Sequence, residues 1–133
     1  MTLCPLQGVR ILDFSTNMAG PYAGMILAQL GADVIKVEPP AGDDARHWPP
    51  QEKGEGIVHR HMNAGKRGVV IDLAQEAGRD AARRLAARAD VLLQSMRPGA
   101  ADRIGIGEAA IREVNPRILY YALNAFGAGP AGR

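Results

Sequence analysis

Leu12-Asp13-Phe14, then Ala19-Gly20-Pro21-Tyr22-Ala23-Gly24-Met25, then Gly31-Ala32-Asp33-Val34-Ile35-Lys36-Val37-Glu38-Pro39-Pro40: the order of these three runs decides the fold. The β-rich run 9–14, VRILDF, turns Val9, Ile11 and Phe14 inward and predicts a buried strand. Pro21 falls where a helix tolerates a missing N–H, and Gly31 falls where a helix stops. Between them Met25, Ile26, Leu27 and Leu30 make an apolar stripe. DVIKVE, 33–38, reads as a second strand ended by two prolines. Strand, turn, helix and strand form one β-α-β unit, with a ligand-sized opening at the tip of its first strand.

The alternation continues outward. Residues 41–56 are polar and rich in glycine, proline and charge, which predicts a long surface loop of the kind that often carries function. VVIDL, 69–73, is a third strand. A helix over 75–89 follows, with Ala77, Ala81, Leu85 and Ala89 on one face. DVLLQ, 90–94, is a fourth strand, short helices cover 100–104 and 108–114, and RILYYAL, 117–123, is the last strand. The tail FGAGPAGR reads as a flexible glycine-rich loop. Strands alternating with helices at these spacings predict an α/β fold, a Rossmann-like parallel sheet with helices on both faces.

Bulk properties narrow the class. A chain of 133 residues suits one domain, and 47% hydrophobic with 23% charged residues is ordinary for a globular protein. A formal charge of +2 and 5% aromatics argue against nucleic acid as a partner. The longest apolar run, Met18 to Leu30, is too short to cross a bilayer, so no membrane role is expected. The N-terminus shows no basic region followed by an apolar core, and a single cysteine, Cys4, excludes an internal disulfide. These features lead us to expect a cytoplasmic protein.

Motif by motif, the chemistry is sparse. The tip Ser15-Thr16-Asn17-Met18-Ala19-Gly20-Pro21 lies where open parallel sheets bind ligands, but it lacks the G-x-G-x-x-G of a nicotinamide site. Gly65-Lys66-Arg67 is not a Walker loop, because Arg60 stands where its first glycine belongs and Arg67 where its hydroxyl belongs. The adjacent Lys66 and Arg67 are either a solvated charge pair or a phosphate capture point, and both readings stand. His59 and His61 share a face if their segment is extended, yet no ligand set surrounds them, and no metal is expected. No Gly-x-Ser-x-Gly elbow occurs, Cys4 has no partner that would activate it, and Arg83, Arg84 and Arg88 read as a solvated helix face.

PLQGVRILDF, AGPYAGMILAQLGADVIKVEPP, GKRGVVIDL, ADVLLQSMRPG, DRIGIG and NPRILYYALNAFGAGP follow in one order from Pro5 onward. In that order the chain resembles the class III CoA-transferases, a family that includes formyl-CoA, carnitine-CoA and bile-acid CoA-transferases and α-methylacyl-CoA racemases. The resemblance implies that residues 1–133 are the N-terminal, CoA-binding portion of the family's large domain, with the catalytic segment and small domain outside the chain. It implies coenzyme A or acyl-CoA as substrate, with no tightly bound cofactor, a carboxylic acid as acceptor, and a homodimer that interlocks in full-length members. It places Asn17 and Met18 at the thioester end, Ile71 near the adenine, Arg103 on the nucleotide, and Lys66 and Arg67 near the same moiety. Ser95, also assigned to the CoA site, stands where many members carry asparagine, and Met96 where many carry phenylalanine. Transferase members use an aspartate carboxylate to form a mixed anhydride and then an aspartyl-CoA thioester; racemase members use a His/Asp pair. Both catalytic sets are implied beyond Arg133. Asp13, Asp33, Asp72 and Asp90 match neither, and are expected to cap or bound strands.

Overall fold

The computed structural model describes residues 4–127 and residue 129. Its main sheet has five strands: β1 (Arg10–Asp13), β2 (Asp33–Glu38), β5 (Arg67–Val70), β6 (Val91–Gln94) and β7 (Leu119–Ala122). All four pairings are parallel, in the spatial order β5-β2-β1-β6-β7. Counting main-sheet strands along the chain, this is the order 3-2-1-4-5, the Rossmann arrangement. The expected α/β layer is therefore the observed one.

Helix α1 (Ala19–Gln29) covers one face of the sheet, while α3 (Glu76–Ala86), α4 (Ala100–Arg103) and α5 (Glu108–Val114) cover the other. The period of two in the strands sorts the side chains. Leu12, Phe14, Ile35, Val37, Ile71 and Leu92 meet Ala82, Ala86, Ile106, Ile111 and Ile118 in the larger core. On the α1 side the same strands change character along their length. Ile11 and Val34 are apolar at the amino half, packed with Leu27 and Ala28, whereas Asp13, Lys36 and Glu38 are buried and charged at the carboxyl half. The outward face of α1 is chargeless, and Met18 at its cap, Tyr22, Ile26 and Leu30 stand exposed along it at a spacing of four.

Several elements depart from the sequence reading. The third strand begins two residues earlier than expected, because Arg67 and Gly68 pair with Ile35 and Lys36. The inward face of α3 runs through Ala82 and Ala86, with Leu85 partly buried, not through Ala77 and Ala81; Ala89, buried as expected, lies past the end of the helix. In so alanine-rich a helix the arginines set the rotation. Arg79 folds back onto the Leu73 and Ala74 carbonyls, and Arg83 reaches the Gly105 carbonyl at 3.2 Å. Arg83 is thus not part of a solvated face, but ties α3 to the turn before α5, its stem lying along the protein. The tail expectation falls partly outside the described residues, on 128 and 130–133.

The segment 41–56 is more ordered than expected. It holds a 3₁₀ turn at Asp44–His47 and a small antiparallel hairpin, β3 (Gln51–Glu52) with β4 (Glu55–Gly56), and leads into α2 (Ile57–Met62). What orders it is charge. Arg46 forks onto Glu38 at 2.7 and 2.8 Å and reaches Glu55 at 2.9 Å, and His59 Nδ1 lies 2.7 Å from Glu55. Since 57–62 is helical, His59 and His61 do not share a face; His59 is buried on this network and His61 is exposed.

Burial alone would raise the Glu38 carboxyl, but the Arg46 fork and the Asp43 N–H hold it down to about 2. A carboxyl lowered on folding stabilises above its ordinary value and loses that contribution as pH falls through the folded one. Stability to urea is therefore expected to fall as pH drops from 4.5 towards about 2. Glu38→Gln is expected to flatten that slope in a pH series of urea midpoints; an unchanged slope would remove Glu38 from the account.

Candidate functional site

In the order 3-2-1-4-5 the crossovers reverse direction between β1 and β6, and ligands of open α/β sheets bind in the crevice outside the carboxyl ends of such a pair. The structure builds a tip there. Ser15, Thr16 and Asn17 leave the end of β1, and Ser95 and Met96 leave the end of β6. The Thr16 N–H donates to Ser95 Oγ at 2.9 Å, which ties the two ends together. Asn17 sits in the left-handed region at φ 67°, and Asn17 and Met18 lie exposed at the mouth.

Under this tip the α1 face is ionic. Asp13 accepts from the Ser15 N–H at 3.0 Å and from the Ser15 hydroxyl through one oxygen, and from Lys66 Nζ at 2.7 Å through the other. The Lys66 side chain is 1% exposed and Asp13 0%. Lys66 also donates to the Pro21 carbonyl at 2.8 Å and to Asn63 Oδ1 at 2.9 Å, so the three hydrogens of its ammonium are all used. Burial pushes this ammonium below the usual lysine range, against the opposing pull of Asp13. A second buried pair lies alongside, with Lys36 Nζ 3.0 Å from Asp43 Oδ2 and bonded to the Ser15 carbonyl.

The glycines of the opening stretch are explained by this arrangement. A Cβ on Gly24 would stand 2.8 Å from Asp13 Oδ2 and 2.9 Å from Lys66 Nζ, and one on Gly20 would stand 2.2 Å from Ser15 Cβ. Glycine at both positions lets α1 descend onto the buried pair and the tip.

The residues expected at the site divide into two groups. Asn17, Met18 and Ser95 meet at the tip, and Ile71 lies on the same carboxyl edge, just past β5, 7% exposed and bonded through its N–H to the Glu38 carbonyl. Arg103 closes α4 beside Gly99, in the turn after β6. Among the described residues its guanidinium makes no hydrogen bond and no ion pair. Lys66 and Arg67 stand apart from these residues and from each other. Lys66 points inward and is fully engaged. Arg67 opens β5 at the opposite, amino end, about 13 Å along the strand from Ile71. There it forks onto Asp33 at 2.9 and 2.7 Å, which Arg10 also holds at 3.0 Å. The Arg67 hydrogen bond holds the Asp33 carboxyl below the usual carboxylate range.

Each aspartate of the sequence reading has a structural task. Asp90 accepts the Arg10 N–H at 2.8 Å, Asp72 accepts the Ala74 N–H at 3.0 Å, Asp33 binds two arginines, and Asp13 holds Lys66 and Ser15. Residue-type reasoning missed Lys36 and Asp43. The signal was present: DVIKVE places Lys36 and Glu38 two apart in a strand that the β-α-β order makes central, so both must be buried on one face.

Comparison with known proteins agrees with this architecture. A profile of CoA-transferase family III matches residues 6–133. A protein of Mycobacterium tuberculosis described as a probable fatty acyl-CoA transferase is 42% identical over 96% of this chain and 34% of its own length. The formyl-CoA:oxalate CoA-transferase of Streptomyces coelicolor is 37% identical over 98% of this chain and 32% of its own. The crystal structure of a CAIB/BAIF family protein from Brucella suis superposes with a TM-score of 0.91 at 38% identity, covering 97% of this chain and 36% of that one. The chain thus spans about a third of the length of the curated relatives it matches.

The two members of the Lys-Arg pair are expected to separate cleanly under mutation. Lys66→Met strands the buried Asp13 charge and is expected to lower stability by about 3–5 kcal/mol. Arg67→Ala removes an exposed pair and is expected to change it by less than about 1 kcal/mol. Urea denaturation of both variants measures this; equal losses would contradict the inward and outward placement.

Proposed function

The chain belongs to CoA-transferase family III, and from that footing we propose that it supplies the coenzyme A cradle of an acyl-CoA:carboxylate CoA-transferase. The observation that carries the proposal is the switch-point tip, where Thr16 and Ser95 join the ends of β1 and β6 below the exposed Asn17 and Met18. Coenzyme A is a 3′-phosphorylated adenosine diphosphate with a pantetheine thiol. On this reading its thioester end rests at Asn17, Met18 and Ser95. Its adenine packs near Ile71, and Arg103, a cation without a protein counterion among the described residues, holds a phosphate through its planar fork.

The relatives named above are transferases, which favours transfer over racemisation. Transfer through a covalent aspartyl-CoA intermediate needs a free carboxylate nucleophile. Asp13, Asp33, Asp72 and Asp90 are each bound to backbone or to cations. On the family resemblance, the nucleophile is assigned to polypeptide other than residues 1–133, and the chain by itself to binding without turnover. Further polypeptide, from a longer protein or a second subunit as in a homodimer, also accounts for the chargeless outer face of α1 with Tyr22, Ile26 and Leu30 exposed.

Calorimetric titration with coenzyme A, with NAD as control, tests the reading. Saturable binding of coenzyme A alone is expected, weakened about tenfold by Arg103→Ala. Arg67→Ala is expected to change it less than about twofold, because that guanidinium is already forked onto Asp33. Binding of NAD in place of coenzyme A, or no binding by a folded sample, would overturn the assignment.

A further inference from the structure

The Lys36–Asp43 pair has no part in the contacts proposed for coenzyme A, yet it is buried, with side chains 3% and 0% exposed. Burying two charges calls for further hydrogen bonds to each ion. Here both ions have them, and the bonds converge on one place. Asp43 accepts the Asn17 N–H at 3.1 Å through Oδ1, the Ala45 N–H at 3.0 Å through the same oxygen, and Lys36 at 3.0 Å through Oδ2. Its own N–H donates to Glu38 Oε2 at 3.0 Å, and Lys36 holds the Ser15 carbonyl from below.

Asn17 is one of two non-glycine residues with positive φ among the described residues. An L side chain is disfavoured there, and Asn, though more tolerant than most, stays only where its surroundings impose the conformation. The Ser15 and Thr16 amides are bound to Asp13 and Ser95; Asp43 is the group that fixes the third amide, at the strained residue itself.

We infer that Asp43, anchored by Lys36, is a positioning residue that holds Asn17 in its left-handed conformation and so sets the direction of the ligand-facing tip. The inference rests on the coenzyme A reading for its functional meaning, but not for its geometry. Asp43 reaches across from the segment after β2 to the tip of β1. The position of the 41–56 segment is thereby linked to the shape of the site, although that segment supplies none of the proposed contacts to the ligand.

A double-mutant cycle separates positioning from general support. Coenzyme A is titrated into the wild-type chain, Asp43→Ala, Asn17→Gly and the double variant, and amide exchange is followed at Asn17 and at Leu12 in the middle of β1. Asp43→Ala is expected to raise Kd about tenfold in the wild-type background. On Asn17→Gly, where glycine adopts positive φ without strain, the expected rise is under about twofold. Asn17 is expected to lose its exchange protection while Leu12 keeps it. Equal weakening in both backgrounds, or equal loss of protection at Leu12, would overturn the inference. Should Asp43→Ala not fold, Lys36→Met/Asp43→Leu replaces it in the same cycle, since it removes both buried charges together with the acceptor of the Asn17 N–H; the expected outcomes are unchanged. If the wild-type chain takes up no coenzyme A, the functional reading fails, and the exchange comparison alone decides for or against the positioning role.

Discussion

Charge balance beneath α1 is the constraint on which the rest depends. Asp13, Lys36, Asp43 and Lys66 are all withdrawn from water on one side of the central strands. An unpaired ion there would be untenable, so every neighbouring element is placed to complete a pair. The turn before β5 carries Lys66 in under the helix, and α2 supplies Asn63 at the end of its last turn as a further acceptor. The segment after β2 curls back to bring Asp43 under Lys36. Gly20 and Gly24 follow from the same condition, because a side chain at either position would lift α1 away from the groups it covers.

This condition also shapes the tip. Three successive residues leave the end of β1, and each is tied to a different part of the molecule: Ser15 to Asp13 and Lys36, Thr16 to Ser95, Asn17 to Asp43. The tip of a Rossmann-like sheet is often a short glycine turn that gains its geometry from the absence of side chains. Here a polar loop gains it from fixed partners, which leaves the side chains of Asn17 and Met18 exposed.

The fold was legible in the sequence because its signals are local and periodic. VRILDF and DVIKVE bracket a helix with a proline at its start and a glycine after its end, and that unit recurs. The family was legible from several blocks in one order. What could not be read was rotation and pairing. The face of α3 was displaced by one residue because alanine hardly distinguishes its sides, and arginine stems on either flank settled the choice. Lys66 and Arg67 are neighbours in sequence and look alike in charge. Only the start of β5 between them sends one inward to Asp13 and the other outward to Asp33. Asp43 gave no sign of its role, since Asn17 is 26 residues away in sequence and the segment that holds Asp43 resembles an ordinary polar loop.

The change from Ile11 and Val34 to Asp13, Lys36 and Glu38 along a single face has a consequence for how the molecule comes apart. One end of that layer is held by exclusion of water, whose strength varies with temperature and hardly with acidity. The other end is held by ionised carboxylates, whose hold depends on acidity. Heat and acid therefore enter the same layer from opposite ends. Strong acid, which titrates Glu38, reaches first the carboxyl margin of that layer, while its apolar end is still intact.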